Sequence, residues 1–454
     1  MPGFLHRKLK QKALSGQCFC SIPLQGQPCC CSKLSLLLDS FNLRSHSNLS
    51  KKFGFPPLPP HGTGLALFFL ILVSIVMLDR PSDLQAALYY EPLPDRFVRC
   101  TLCPHDCEIA PDHRGACGVR INQDGQLFTR VGNRIISAEI DPIEKKPLFH
   151  FFPGSTAYSI ATVGCNFRCR FCQNWTISQW PKLKELADHR EEVSSAVREH
   201  PAGEWCAETE PPQERWGIGT PVVPSELVAE AKRTGCTSIA YTYTEPTIFY
   251  ELALTTARLA SAAGLGNVFV TNGFISLDPL REIAPYLSGA NIDLKSFRDG
   301  YYKKLCGARL EPVLAAIREY KKLGLWIELT TLLIPGLNDD ESELRDIARF
   351  IKTELGEDVP WHISRFFPAY KMEHWQETPI RSLLRAREIG QEEGLRYVYL
   401  GNVPQEEGAE NTICPGCGAV VIRRWGLTMV ENRLRAGRCT KCSQFVTGRW
   451  AVGG

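Results

Sequence analysis

Three cysteines carry the first chemical signal in this chain. Cys165, Cys169 and Cys172 lie in the run Thr162-Val-Gly-Cys-Asn-Phe-Arg-Cys-Arg-Phe-Cys-Gln-Asn-Trp175, a C-x3-C-x2-C triad. Three thiolates hold three corners of a [4Fe–4S] cube and leave the fourth iron open to a small molecule. A structural zinc completed by one distant ligand is the plainer alternative. Zinc cysteines usually come as paired C-x2-C knuckles, however, and this triad is unpaired. An aromatic residue, Phe171, stands directly before the third cysteine.

Two further cysteine groups flank the triad. Cys100, Cys103, Cys107 and Cys117 are spaced C-x2-C-x3-C-x9-C. Four thiolates there suit zinc or a second iron–sulfur cluster, and spacing does not choose between them. His105 and His113 lie close enough to stand in as ligands. Near the other end, Cys414, Cys417, Cys439 and Cys442 form C-x2-C-x21-C-x2-C, the pattern of a zinc ribbon: two knuckles joined by a hairpin. A closed four-sulfur site is usually structural, with a rubredoxin-like iron as the minor alternative. Its net charge of −2 on Zn²⁺ calls for nearby cations, and Arg423, Arg424, Arg438 and Lys441 are candidates.

Polar residues recur where short apolar runs end. Glu245 in Tyr241-Thr-Tyr-Thr-Glu-Pro246 can accept charge-assisted hydrogen bonds from a ligand ammonium, or serve as a helix N-terminal charge. In Thr271-Asn-Gly273, Asn272 offers a donor and an acceptor, while Gly273 lets backbone approach a ligand; a plain turn is the alternative. Asp293 and Lys295, in Asn291-Ile-Asp-Leu-Lys295, are alternate residues on one strand face. They read as ligand contacts or as a structural ion pair. The loop Ile334-Pro-Gly-Leu-Asn-Asp-Asp340 is rich in turn residues. On a late strand, His362 and Arg365 face the choice between substrate contact and interior hydrogen bonding.

The elements that must position these residues alternate. Strands are expected at 157–163, 238–242, 267–270, 290–294, 326–333, 361–366 and 397–400. Helices are expected at 225–235, 247–264, 277–287, 310–324, 341–356 and 382–394, the first capped by Ser225. Repeated βα units imply an α/β protein with parallel strands, and seven strands suit a partial, open TIM-type barrel with its chemistry at the C-terminal strand ends. Residues 183–220 are charged, Pro-rich and aperiodic, as in a surface insertion. Four regions follow: an extension at 1–83, a Cys-rich metal-binding module at 84–154, the core barrel at 155–404 and a zinc-ribbon-like module at 405–454.

Bulk properties bound the rest. With 454 residues a large core is no difficulty, and a net charge of +3 argues for no nucleic-acid partner. Nineteen cysteines, mostly in ligand-like groups, fit a reducing compartment better than a disulfide scaffold. Cys236 and Cys306 read as buried small hydrophobes. Residues 1–63 carry eight Lys or Arg against one acid, Asp39, which suits a transit peptide or disorder. The apolar run 64–78 is short of the roughly 20 residues a membrane span needs. A start at Met77 with a cytoplasmic product, a signal anchor and organelle targeting all stay open.

From Ala87 to about Trp450 the chain resembles the AmmeMemoRadiSam system radical S-adenosylmethionine (SAM) enzyme, related to pyruvate formate-lyase activating enzymes. The segments that carry the likeness are Arg99-Cys-Thr-Leu-Cys-Pro-His-Asp-Cys107, Gly115-Ala-Cys-Gly-Val-Arg120, Asp141-Pro-Ile-Glu-Lys-Lys-Pro-Leu-Phe-His150, the triad, Tyr243-Thr-Glu-Pro246 and Asn291-Ile-Asp-Leu-Lys295. The resemblance implies a [4Fe–4S] cluster on Cys165, Cys169 and Cys172 whose open iron chelates SAM. Reduction of SAM there yields a 5′-deoxyadenosyl radical that abstracts hydrogen from a substrate. It also implies Phe171 near the adenine, Glu245 near the methionyl group, and Asp293 and Lys295 beside SAM. A flavodoxin or ferredoxin as reductant and the AmmeMemo proteins as associates are further implications; the resemblance supplies no substrate, and a glycyl-radical protein, another protein and a small molecule all stay open. The competing class is a metal-stabilised scaffold or electron carrier without SAM chemistry.

Overall fold

The computed structural model describes residues 84–182, 219–403, 406 and 408–450. The expectations for 1–83, and all but the end of the 183–220 insertion, lie outside the described residues. The central sheet has eight strands in chain order: β1 Ser137–Pro142, β2 Thr156–Ala161, β3 Ser238–Tyr241, β4 Gly266–Thr271, β5 Gly289–Asp293, β6 Trp326–Leu333, β7 Trp361–Arg365 and β8 Val398–Gly401. Strands β2 to β8 each pair parallel with the next, and β1 pairs antiparallel with β2. Among the described residues β1 and β8 are the edge strands of the sheet, and the Leu400 N–H of β8 donates to the Ala409 carbonyl at 3.1 Å.

The parallel strands read as apolar runs because helices cover one face and packed side chains the other. All four residues of β3 are buried. Helices α1 Pro224–Arg233, α2 Tyr250–Ala262, α3 Leu277–Ile283, α4 Leu310–Lys322, α5 Glu341–Phe350 and α6 Ile380–Glu392 lie between the strands in the chain. On α4 the buried Leu310, Val313, Leu314, Ile317 and Tyr320 fall at the three-and-four spacing of one helical face. At the start of α5, the Asp340 carboxylate accepts from the N–H groups of Ser342 and Glu343. Helix α1 begins one residue earlier than expected: Val223 occupies the cap position and Pro224 the first turn, where a missing N–H costs nothing.

Seven of the eight strands are those the alternation predicts. The eighth, β1, falls within 84–154, the stretch assigned by sequence to the Cys-rich module. Its run Ser-Ala-Glu-Ile-Asp-Pro mixes charge with a terminal proline and is mostly exposed, which is how an edge strand is written.

Residues 85–129 fold into two small three-stranded sheets, and Arg134–Ile135 pairs with Thr220–Pro221. Arg120 ties the two sheets to α2: its guanidinium pairs with Glu251, both side chains 2% exposed, and donates to the Leu88 carbonyl at 2.7 Å. At the other end, the hairpin Val420–Trp425 and Thr428–Asn432 is seated by Arg424. That guanidinium donates to the Phe149 carbonyl at 2.6 Å and to Thr412 Oγ1 at 3.0 Å, and lies 4.3 Å from the centre of the Phe149 ring. Arg424 therefore anchors the C-terminal module to the sheet, whereas sequence offered it as a counter-charge for the metal.

His150 joins the same seam. Its Nε2 lies 2.7 Å from Tyr399 Oη and its Nδ1 2.7 Å from the Thr447 carbonyl. A carbonyl only accepts, so Nδ1 carries the proton and the ring is neutral. Burial lowers its pKa to about 4, against about 6.5 in an unfolded chain. Between these values the unfolded chain holds a proton that the native one does not, so stability falls as pH falls. From pH 7.5 to 5 the loss from this group is about 2 kcal/mol. Urea midpoints at the two pH values check it: His150→Gln should shrink the acid-induced drop, and an unchanged drop would remove His150 as its source. No helix among the described residues is long and apolar enough to cross a membrane.

Candidate metal and cofactor site

The triad sits on the loop that leaves the C-terminal end of β2, the side on which open α/β sheets gather ligands. Gly164, at φ +98°, opens that loop; a Cβ there would meet Val119 Cγ1 at 2.7 Å and the Cys117 carbonyl at 3.2 Å. All three cysteines are free thiols. The Phe167 N–H donates to Cys165 Sγ at 3.3 Å, and Cys172 Sγ lies 3.2 Å from Ser178 Oγ. Outer anchors fix the rest of the loop. Arg168 N donates to the Cys306 carbonyl at 2.7 Å and Arg170 N to the Leu305 carbonyl at 2.9 Å. Past the last cysteine, Gln173 reaches the Phe367 carbonyl, Asn174 reaches the Tyr243 carbonyl, and Trp175 stacks on Tyr370.

Burial pushes the Cys165 and Cys172 thiols up, and contact with the Cys306 thiol together with burial does the same for Cys169. Metal ligation must then release their protons. A soft, all-thiolate donor set with hydrogen bonds already aimed at sulfur fits an iron–sulfur cluster.

The strand-end residues named from sequence gather around this loop. Glu245 is 2% exposed. Its Oε1 accepts from Thr247 N at 3.0 Å, Thr247 Oγ1 at 2.6 Å and Thr271 Oγ1 at 2.8 Å; its Oε2 accepts from Asn272 N at 2.8 Å. The carboxylate thus clamps the ends of β3 and β4 together. Glu245→Gln puts an amide N–H₂ against donors. We expect a loss of about 1–3 kcal/mol in stability together with weaker SAM binding, read by urea denaturation and by titration; wild-type values in both would refute the clamp.

Asn272 Nδ2 donates to Asn166 Oδ1 at 2.8 Å and lies 3.8 Å from Cys165 Sγ. Asn166 Nδ2 in turn donates to the Phe274 carbonyl at 2.8 Å, so two amides interlock the cysteine loop with the end of β4. Asp293 and Lys295 form an ion pair at 2.8 Å. Lys295 Nζ lies 5.8 Å from the centre of the Phe171 ring. Burial would lower this lysine, but Asp293, Cys169 and Cys306 together hold it well above its usual range.

Sequence reasoning missed Asn166, Cys306 and the Tyr243–Asp141 pair. Cys306 is buried as expected, but it also adjoins Cys169. No spacing rule links a lone cysteine to a triad far upstream. Asp141 accepts from Lys145 Nζ at 2.8 Å, from Lys146 Nζ at 2.6 Å and from the Tyr243 hydroxyl. Burial would raise that carboxyl, yet these three donors hold it below the usual carboxylate range. Lys146 is 1% exposed and is lowered by burial to about 8. The signal was there in the two adjacent lysines of 141–150, though nothing in the sequence showed where they point. His362 proves to be an interior histidine, its Nε2 2.7 Å from Glu328 Oε2. Arg365 holds the following loop through the Thr378 carbonyl and Glu377.

Cys100 and Cys107 are opposite each other on the paired strands Val98–Cys100 and Cys107–Ile109. With Cys103 and Cys117 they line a single cavity. His105 also lines this cavity, with its Nε2 2.7 Å from the Asn166 carbonyl, and exposed His113 turns its Nδ1 to the Pro111 carbonyl. The C-terminal four are drawn closer. Cys414 and Cys442 are 3.5 Å apart at sulfur, Cys417 and Cys439 are 3.8 Å apart, and all four lie within 4.8 Å of one another. Tetrahedral zinc with Zn–S of about 2.3 Å needs sulfurs about 3.8 Å apart. The group is consistent with a zinc-binding module. The Lys441 N–H donates to Cys439 Sγ and lowers that thiol to about 7.

The family model of the radical SAM superfamily matches residues 159–351. The uncharacterized protein MJ0808 of Methanocaldococcus jannaschii is 42% identical over 365 residues, which span 80% of this chain and 99% of that protein. An isethionate sulfite-lyase activating enzyme from Desulfovibrio desulfuricans is 31% identical over 112 residues, 24% of this chain and 35% of that one. Among solved structures, a radical SAM methyltransferase from Sphaerobacter thermophilus is 16% identical, with a TM-score of 0.41, and the match covers 77% of this chain and 84% of that one. A domain of a pyruvate-formate lyase-activating enzyme from Bacteroides vulgatus is 19% identical, with a TM-score of 0.32, covering 36% of this chain and 99% of that domain.

Proposed function

The chain belongs to the radical SAM superfamily, and from that premise we propose that Cys165, Cys169 and Cys172 hold a [4Fe–4S] cluster at which SAM is cleaved reductively. The observation that carries this reading is the triad loop at the end of β2, locked to the neighbouring strand end by the Asn166–Asn272 pair. A reduced cluster held by Cys165, Cys169 and Cys172 would supply the one electron that breaks the S–C5′ bond of SAM, with methionine as the leaving group and hydrogen-atom abstraction from a substrate as the chemistry it makes available.

The chain's own residues do the positioning. Asn272 and Glu245 present polar groups beside Cys165, suited to the amino and carboxylate groups of a bound amino acid. Phe171 offers an apolar ring for the adenine. The Asp293–Lys295 pair sets a fixed charge next to Cys169. Electrons come from a one-electron donor of the flavodoxin or ferredoxin type. In this reading the sheet is an open TIM-like barrel with the substrate in its mouth and the C-terminal module is a zinc ribbon.

A narrower kinship with the AmmeMemoRadiSam enzymes is supported by the Asp141–His150 segment. Asp141, Lys146, Phe149 and His150 all enter buried hydrogen bonds beneath the site. The AmmeMemo proteins are the associates this kinship brings with it. A protein glycine as hydrogen donor is supported by the partial likeness to the activating enzyme noted above. The test is anaerobic: reconstitute iron and sulfide, reduce, add SAM and assay 5′-deoxyadenosine. Formation of that product supports the reading. A loaded, reduced cluster that neither binds nor cleaves SAM would overturn it in favour of an electron carrier.

A further inference from the structure

The sequence leaves the metal at Cys100, Cys103, Cys107 and Cys117 open between zinc and iron–sulfur; sulfur spacing decides it. Both four-cysteine groups of this chain are described, so one calibrates the other. Among the described residues, the C-terminal four are the one group of three or more potential metal ligands whose donor atoms gather within 4.8 Å. A single zinc ion demands that closeness, because one atom must bond every sulfur at about 2.3 Å. The N-terminal four do not meet it, and neither do Cys165, Cys169 and Cys172. In a cubane each thiolate bonds a different corner iron, so its ligands stand farther apart around a filled interior.

The N-terminal thiols surround such an interior. All four line one cavity, together with Thr247 and Ile248 from the chain beyond β3. Gly115 borders it, where a Cβ would meet Cys107 Sγ at 3.7 Å and Ile109 Cδ1 at 3.2 Å. Around the sulfurs are the groups a negatively charged cluster needs. The Ala116 N–H points at Cys107 Sγ at 3.5 Å, and the buried Arg120 guanidinium at Cys100 Sγ at 3.7 Å. The spacing is unlike zinc knuckles as well: C-x2-C-x3-C-x9-C holds one C-x2-C pair, not two.

We propose that Cys100, Cys103, Cys107 and Cys117 hold a second [4Fe–4S] cluster, closed by four thiolates. With every iron ligated by the chain it has no open position for SAM, so its chemistry is confined to one-electron exchange. It adjoins the first site: His105, within the C-x2-C-x3-C run, bonds the carbonyl of Asn166 at 2.7 Å, and the Cys117 carbonyl packs against Gly164.

The test uses the full chain, reconstituted anaerobically with iron, sulfide and zinc together, and counts all three. The intact chain should carry about eight iron, about eight sulfide and about one zinc. Cys165→Ala/Cys169→Ala/Cys172→Ala should keep about four iron, with a reduced EPR signal indifferent to SAM. Cys103→Ala/Cys117→Ala should also keep about four, now SAM-sensitive. If the double variant fails to fold, the triad variant decides alone, since its changes lie outside this module. An intact chain with about four iron and about two zinc, and a triad variant with no iron, would overturn the proposal and leave the SAM site standing. About four iron in both would keep the second cluster and sink the SAM-site reading instead.

Discussion

Cys169→Ala should abolish 5′-deoxyadenosine formation while leaving the fold nearly intact. Cys169 is the middle cysteine of the triad and its thiol is buried beside Cys306 and Lys295. Two thiolates do not retain a cube whose remaining irons are open to solvent, so iron should fall by about four per chain along with the activity. The cost to folding is small, because the alanine removes one sulfur from a loop whose backbone is held elsewhere. Arg168 N and Arg170 N bond the 305–306 turn, and Asn166 bonds Asn272. Product assayed by chromatography, with urea denaturation on the same sample, separates the two effects. Retained cleavage would sink the cluster assignment. Lost cleavage with a collapsed midpoint would show that the loop is structural as well.

Glu251→Leu should be the most destabilising single change outside the metal sites. Glu251 and Arg120 are each 2% exposed at the side chain and pair across the junction between the N-terminal module and α2. Glu251 Oε1 also accepts from the Leu88 N–H at 2.7 Å. Among the described residues, Arg120 Nε and Glu251 Oε2 have no hydrogen-bond partner. The pair is thus already short of full compensation. Removing the carboxylate strands a buried guanidinium, for which a loss of about 3–5 kcal/mol is expected. The discriminating control is Arg120→Met/Glu251→Leu. Replacing both charges removes the stranded ion, so the double variant should regain most of the lost stability. A double variant as unstable as the single one would mean that packing, not charge, holds this junction.

The metal chemistry was legible in the chain because cysteine spacing is a local property. A C-x3-C-x2-C loop presents its three thiols together wherever it folds, and paired C-x2-C knuckles do the same. The seven parallel strands were legible because strands buried on both faces leave unbroken apolar runs between helical periods. Helix ends were less so: Val223 rather than Ser225 caps α1, since the proline after Val223 serves the first turn as well as a capping hydroxyl would. Strand β1 escaped notice because an edge strand with one exposed face carries a polar, irregular pattern.

What the sequence by itself determined, then, is the grouping of the cysteines along the chain, the α/β alternation and the radical SAM kinship. Each depends on residues close together in the chain. The tertiary structure alone decided what those residues meet. It turned Glu245 into a four-bond clamp between two strand ends and set Cys306 against Cys169 across more than a hundred residues. It also spent Arg424 on the Phe149 carbonyl rather than on the metal. The same holds for the spread of the N-terminal thiols around one cavity while the C-terminal four converge. Which atoms share a buried space depends on strand order and on the crossover each helix makes, and no local pattern records those distances.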